Sequence, residues 1–305
     1  VRCKMCGEKA VVKLKAYNLS LCTKCFDEFI LRRVQKAIKD YHLIANGQKV
    51  MVAVSGGKDS LSLWHILNRL GYKTKGLYIQ LGINDYSDKS EEYTKNFANL
   101  HGLELQIEDV REYFNGYGIK DISKIVRRPA CSVCGMIKRY IMNKVAYEGG
   151  FILATGHNLD DEVATLLNNV LDWKTDYLGR QTPNLSSKDK LVQKIKPLVL
   201  CTEREMASYA INAKIKYIRD ECPFSVGATS IFYKQLLNQL EEHSPGSKLR
   251  FYQNFLKVRQ IFLTAEPELH PCEICGYPTT ATTCNFCRLR EKIQSKIKIS
   301  SSAGS

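Results

Sequence analysis

The sequence predicts an α/β protein: a doubly wound parallel sheet flanked by two small four-cysteine modules. Three observations predict it. Apolar strand-like runs alternate with helix-length amphipathic segments from Lys49 to Leu171, the pattern of a parallel sheet covered on both faces. A glycine turn, Ser55-Gly56-Gly57-Lys58-Asp59-Ser60, joins the run Val50–Val54 to a helical stretch. Paired cysteines, Cys-x-x-Cys, bracket the chain at both ends.

Cys3-x-x-Cys6, fifteen intervening residues, then Cys22-x-x-Cys25 has the spacing of a zinc ribbon. Zn2+ closes four thiolates tetrahedrally and so folds a module too small for a core of its own. Residues 26–43 carry Phe26, Phe29, Ile30, Val34, Ala37, Ile38 and Tyr41 at helical spacing, a connecting helix ended by Asn46-Gly47.

In the core, strands are expected at Lys49–Val54, Gly76–Leu81, Leu103–Val110 and Phe151–Thr155. Helices are expected at Ser60–Leu70, Ser87–His101, Cys134–Tyr147 and Leu159–Leu171. Thr182–Lys196, with Pro183, Asn184 and Ser186-Ser187, reads as an exposed polar loop. Thr202-Glu203-Arg204-Glu205 fits a capping box opening a helix to about Ala213. Helical patterns follow at Ser230–Glu242 and Ser247–Leu263. Then come Cys272-x-x-Cys275, eight residues, Cys284-x-x-Cys287, and a basic end, Arg288 to Lys298. This second set also reads as a four-cysteine zinc module. The divisions expected are 1–28 (ribbon), 29–48 (connecting helix), 49–220 (catalytic domain), 221–268 (helical extension), 269–299 (zinc module) and 300–305 (disordered tail).

The formal charge of +14 and pI of 9.2 favour a polyanionic partner, nucleic acid first. Eight zinc-bound thiolates reduce the charge to about +10, still basic. No apolar run approaches membrane-spanning length and no signal-peptide core opens the sequence, so a cytoplasmic protein is expected. With twelve cysteines in so long a chain, metal is favoured over disulfides.

The glycine turn is a phosphate site on physical grounds. Two glycines let an anion approach the backbone, several N–H groups converge, and the helix dipole adds positive potential. Gly156-His157-Asn158-Leu159-Asp160-Asp161-Glu162 follows another strand on the same sheet edge. Its carboxylates, Asp160 and Asp161, are placed to hold Mg2+ against phosphate oxygens. A helix start carrying acids for its dipole accounts for some of these acids but less well for the whole string.

Cys131-Ser132-Val133-Cys134 opens a helix without a second local Cys-x-x-Cys. Residues 131, 134 and 138 share a face, so Lys138 points with both sulfurs. The stretch Lys120–Lys144 is basic, and a helix N-terminus there lowers a thiol pKa. Cys222, followed by Pro223, is a third candidate. Three such cysteines suit a cubane cluster with one open iron. A third zinc site using Cys201, or a Cys131/Cys134 pair cycling through persulfide and disulfide, are alternatives. Cys201, in an apolar run, reads better as a core residue.

The turn lacks the four-residue insert of a Walker P-loop and resembles the PP-loop, S-G-G-x-D-S, of ATP pyrophosphatases (adenine nucleotide alpha hydrolase-like proteins). With SGGKDS, CSVCG, ATGHNLDD, ECP and the terminal cysteine modules together, the chain resembles the TtuA/TtcA group of tRNA thiolation enzymes from Cys3 to Cys287. The paired modules set it apart from TtcA. The resemblance implies adenylation of the C2 oxygen of a tRNA uridine, T-loop position 54, and its replacement by sulfur from a ubiquitin-like thiocarboxylate carrier. It implies ATP and Mg2+ at Ala53, Ser55–Ser60, Gly156, Asp160 and Asp161, with Asp59 near the metal. It assigns a 4Fe-4S cluster to Cys131, Cys134 and Cys222, and catalytic assistance to Lys138 and Asp161. A homodimer is compatible with it. The same chemistry on the anticodon wobble uridine, or a non-catalytic zinc-ribbon RNA-binding protein, are the competing readings.

Overall fold

The N-terminal cysteine pairs lie at the two ends of a hairpin, β1 (Val12–Leu14) and β2 (Leu19–Leu21), and Cys25 sits in the first turn of α1 (Thr23–Asp40). The computed structural model describes residues 1–225, 229–264 and 268–302. The four Sγ atoms of Cys3, Cys6, Cys22 and Cys25 lie within 4.8 Å of one another, as do those of Cys272, Cys275, Cys284 and Cys287. Thiolates about one zinc stand about 3.8 Å apart, so both sets fit a zinc module. Helix α1 stops at Asp40, earlier than expected; the Asn46-Gly47 turn, with Gly47 at φ +78°, reverses the chain into the sheet instead.

The core follows in order: β3 (Val50–Val54), α2 (Lys58–Arg69), β4 (Thr74–Gln80), α3 (Asn84–His101), β5 (Leu105–Asp109), α4 (Val110–Tyr113), α5 (Ile119–Val126), α6 (Ala130–Glu148), β6 (Ile152–Thr155), α7 (Leu159–Leu171), α8 (Thr175–Arg180), β7 (Asn184–Leu185), β8 (Lys194–Ile195) and α9 (Glu203–Asn212). After them come α10 (Thr229–His243), α11 (Ser247–Val258) with a 3-10 turn at Arg259–Phe262, the hairpin β9 (His270–Pro271) and β10 (Pro278–Thr279), and α12 (Asn285–Ser302). The chain therefore stays helical past Ser300, where a tail was expected; 303–305 lie outside the described residues.

The sheet order is β5-β4-β3-β6-β8-β7, parallel except for β7. Connections run outward one way from β3 and the other way from β6. The crevice beyond the carboxyl ends of these two strands is the topological switch point, where doubly wound sheets bind ligands. Thr182–Lys196 is not simply a loop. Lys194 pairs with Leu153, Ile195 with Ala154, and Asn184 and Leu185 fold back on them. Two-residue strands are too short to show periodicity, and the polar residues between them hide the pairing.

Alternate residues of β3 serve different cores. Val50, Val52 and Val54 pack with α1, α2, α7 and α9; Met51 packs with Leu77, Leu153 and the α5–α6 pair. Each cysteine module joins one of these cores. Leu14, Leu21 and Cys22 enter the first, whereas Phe286, Leu289 and Ile293 of α12 enter the second, with Phe286 stacked on Tyr140 at 3.8 Å.

His65 of α2 lies beside His101 and 3.0 Å from the Tyr209 hydroxyl. Burial, then the His101 and Arg69 charges, lower its pKa to about 4. The unfolded chain takes up this proton near pH 6.5, so between these values the unfolded state binds more protons and stability falls with pH. The melting temperature is expected to drop as pH is lowered from about 6.5 to about 4. In His65→Gln that part of the slope should vanish.

Candidate functional site

The glycine turn leaves the end of β3 and enters α2 through Gly57, whose extended backbone caps the helix. Gly56 holds φ +73°, and a Cβ there would meet the Ser90 carbonyl oxygen at 2.5 Å. Ser60 stitches the loop: its hydroxyl accepts from the Ser55 N–H at 3.1 Å and contacts the Gly57 carbonyl at 3.1 Å. The amides of the turn are thereby held at the positive end of α2. Just past β6, Gly156 passes so close that a Cβ would lie 2.9 Å from Ser60 N and Cα. Its role is to let the chain leaving β6 meet the first turn of α2.

Asn158 and Asp161 form a reciprocal capping box on α7, the Asp161 carboxylate accepting from the Asn158 N–H at 3.0 Å. The Asn158 side chain also donates to Asp59 at 3.2 Å, fixing both acids around one turn. Burial raises the Asp59 pKa, Lys58 opposes it, and the Asp161 charge adds to the rise. Two carboxylates held this close are suited to share a divalent cation.

Across the crevice, Pro129 caps α6, and Cys131, Cys134 and Lys138 project from its first turns. Cys222 arrives on the segment before α10, and the Cys131 thiol lies 2.9 Å from the Phe224 carbonyl. A single cavity of about 560 Å3 is lined by Ala53, Ser55, Gly57, Asp59, Ser60, Gly156, Asp161, Cys131, Cys134, Lys138 and Cys222. The walls between are apolar, including Leu77, Ile79, Ile83 and Met142.

Not every expected residue is brought there. Asp160 is buried on the far side, paired with Lys248 and accepting the Glu203 N–H at 2.7 Å, and it lines no part of this cavity. The Lys58 side chain turns to Glu203 at 2.8 Å, beside a second cavity of about 580 Å3. Cys201 is fully buried and lines no part of the cysteine cavity. Among the described residues, only the two terminal sets gather three or more ligand atoms within 4.8 Å. The cavity trio is spread wider than one zinc requires. The expected lowering of thiol pKa fails at Cys134: burial raises it, outweighing Lys138 and Arg139.

Two residues escaped the sequence. Lys234 of α10 reaches Asp161 at 2.6 Å and Glu203 at 3.1 Å. Glu203 joins it to Lys58, and despite burial these two lysines hold its pKa at about 2. A lone lysine in an amphipathic helix carries no signal in sequence. Asn158 was legible in principle, because N-x-x-D is a capping box.

Glu203 is held in place by its own helix start. Thr202 and Glu205 satisfy each other's amides, Thr202 Oγ1 accepting from Glu205 N at 3.2 Å. Thr202→Ala should lower stability by about 1 kcal/mol, measured by urea denaturation.

A family model described as a PP-loop domain matches residues 27–226, and one described as the 2-thiouridine synthetase TtuA N-terminal LIM domain matches residues 2–27. The chain is 47% identical to a tRNA-5-methyluridine(54) 2-sulfurtransferase of Thermotoga maritima, covering 97% of this chain and 98% of that one. It is 43% identical to the protein of that name from Pyrococcus horikoshii, covering 97% of each. A solved structure, the U34-tRNA thiolase NcsA from Methanococcus maripaludis with its [4Fe-4S] cluster, superposes with a TM-score of 0.81 at 27% identity over 95% of both chains. The chain belongs to the PP-loop family of ATP-using tRNA 2-thiolation enzymes that includes the tRNA-5-methyluridine(54) 2-sulfurtransferases.

Proposed function

We propose that this enzyme activates the C2 oxygen of the 5-methyluridine at tRNA position 54 with ATP and replaces that oxygen by sulfur. The observation that carries the reading is the one cavity that joins the glycine turn and Asp161 to Cys131, Cys134 and Cys222. Relatives named for position 54 share 43–47% identity with the chain, against 27% for the U34 thiolase, which favours the T-loop nucleoside.

The donor set suits a 4Fe-4S cluster: three thiols from two segments line a partly apolar cavity. Bound there, the cluster supplies an iron without a protein ligand, at which sulfur can be held away from water. The rest belongs to the chain itself. The amides of Gly56, Gly57 and the start of α2 receive the ATP phosphates, and Asp59 and Asp161 hold Mg2+. Carbonyl oxygen is a poor leaving group; joined to AMP it becomes a good one. Lys138, on the cysteine side, neutralises negative charge as sulfur adds to C2. The terminal cysteine sets bind structural zinc, and sulfur arrives from a ubiquitin-like thiocarboxylate carrier in the cytoplasm.

Anaerobically reconstituted enzyme, given ATP, a sulfur source and tRNA, should yield 5-methyl-2-thiouridine with matching AMP by nucleoside mass spectrometry. Sulfur at the wobble uridine would transfer the reading to the anticodon. Thiolation without AMP release would overturn it.

A further inference from the structure

The mechanism leaves unassigned a chain of ion pairs that enters the cavity wall from α10. Asp59 meets Lys58 at 3.0 Å, Lys58 meets Glu203 at 2.8 Å, Glu203 meets Lys234 at 3.1 Å, and Lys234 meets Asp161 at 2.6 Å. Both ends of the chain are carboxylates that line the cavity; its middle member, Glu203, lies outside it.

We infer that Lys234, positioned by Glu203, binds the pyrophosphate portion of ATP and carries its charge as it leaves. This rests on the ATP cleavage proposed above. Lys234 Nζ touches the carboxylate that stands beside the phosphate turn, so its ammonium is within a hydrogen bond of the cavity wall. A divalent cation held by Asp161 would compete for the oxygen that Lys234 holds. With that oxygen taken, the Lys234 ammonium would keep Glu203 as its anchor and be free to turn to phosphate oxygens in the crevice. Three acids stand against two lysines in this chain. A divalent cation reverses that balance, and phosphate oxygens restore it.

In the activation step the uridine O2 bonds to the α-phosphorus. The bond from that phosphorus to the oxygen bridging to the β-phosphorus breaks, and its electron pair leaves with pyrophosphate. The uridine N3 proton is released to solvent. Negative charge therefore grows on the bridging oxygen, and a protonated lysine there stabilises the transition state more than the ground state. A purely structural counter-ion of Asp161 would support folding without distinguishing ligands that have a pyrophosphate from those that lack one.

The test uses the full chain without its cluster, with Mg2+ present, and measures pyrophosphate and AMP binding by calorimetry. Lys234→Gln should weaken pyrophosphate about 10- to 100-fold, leave AMP within about twofold, and be rescued to near wild type by Lys234→Arg. Equal pyrophosphate affinity in wild type and Lys234→Gln, or equal losses for both ligands, would overturn the inference. If Lys234→Gln does not fold, amine labelling of the wild type decides: Mg-pyrophosphate should protect Lys234 and AMP should not, and equal labelling refutes the assignment. Pyrophosphate release by the wild type checks the underlying reading separately. An enzyme that releases none fails there, whatever Lys234 binds.

Discussion

Cys222→Ser should lower tRNA thiolation by about 1000-fold or more while ATP binding stays within about threefold of wild type. Cys222 reaches the cavity on a segment remote from α6, whereas Cys131 and Cys134 share that helix start. A serine hydroxyl is a much poorer ligand for iron than a thiolate, so the three-point attachment proposed for the cluster should be lost. The nucleotide half is built from β3, α2, β6 and α7 and does not depend on this residue. Iron and sulfide analysis after anaerobic reconstitution, together with ATP titration, checks both parts. A variant that loses thiolation yet keeps full iron content would show that Cys222 acts otherwise than as a ligand.

Gly56→Ala should cost about 3–5 kcal/mol of stability or displace the turn, with ATP affinity reduced about 100-fold. The backbone at φ +73° is left-handed, which disfavours any side chain. The added Cβ would also stand 2.5 Å from the Ser90 carbonyl oxygen and 3.0 Å from Ser90 Cα. These are backbone atoms of α3, whose Ser90 hydroxyl is bonded to buried Tyr78 at 2.6 Å, so they cannot swing aside. Urea denaturation and nucleotide titration measure the two effects. Substitution at Gly57 offers the control, since the nearest atom there is 3.4 Å away and its φ is not positive.

The alternating strands and helices were legible because the sheet is covered on both faces. Val50–Val54 must be apolar throughout when Val52 serves one core and Met51 the other. Long helices were legible for a related reason: α7 runs Leu159–Leu171, the limits its sequence pattern predicts. Short elements were not. Helices α4, α5 and α8 and the strand pair β7–β8 are at most eight residues each and are held by tertiary neighbours, not by local preference.

The candidate site divides in the same way. Local spacing determined the glycine turn, the two four-cysteine sets and the shared face of Cys131, Cys134 and Lys138, because each depends only on residues a few positions apart. Only the tertiary structure decided that Cys222 joins that face, that Asp160 is spent on Lys248 while Asp161 lines the cavity, and that Lys234 reaches Asp161 from α10. These pairings join residues far apart in the chain, and which of two adjacent carboxylates points into a crevice depends on how α7 is rotated against its neighbours. That rotation is set by packing over the whole core, which no short stretch of sequence contains.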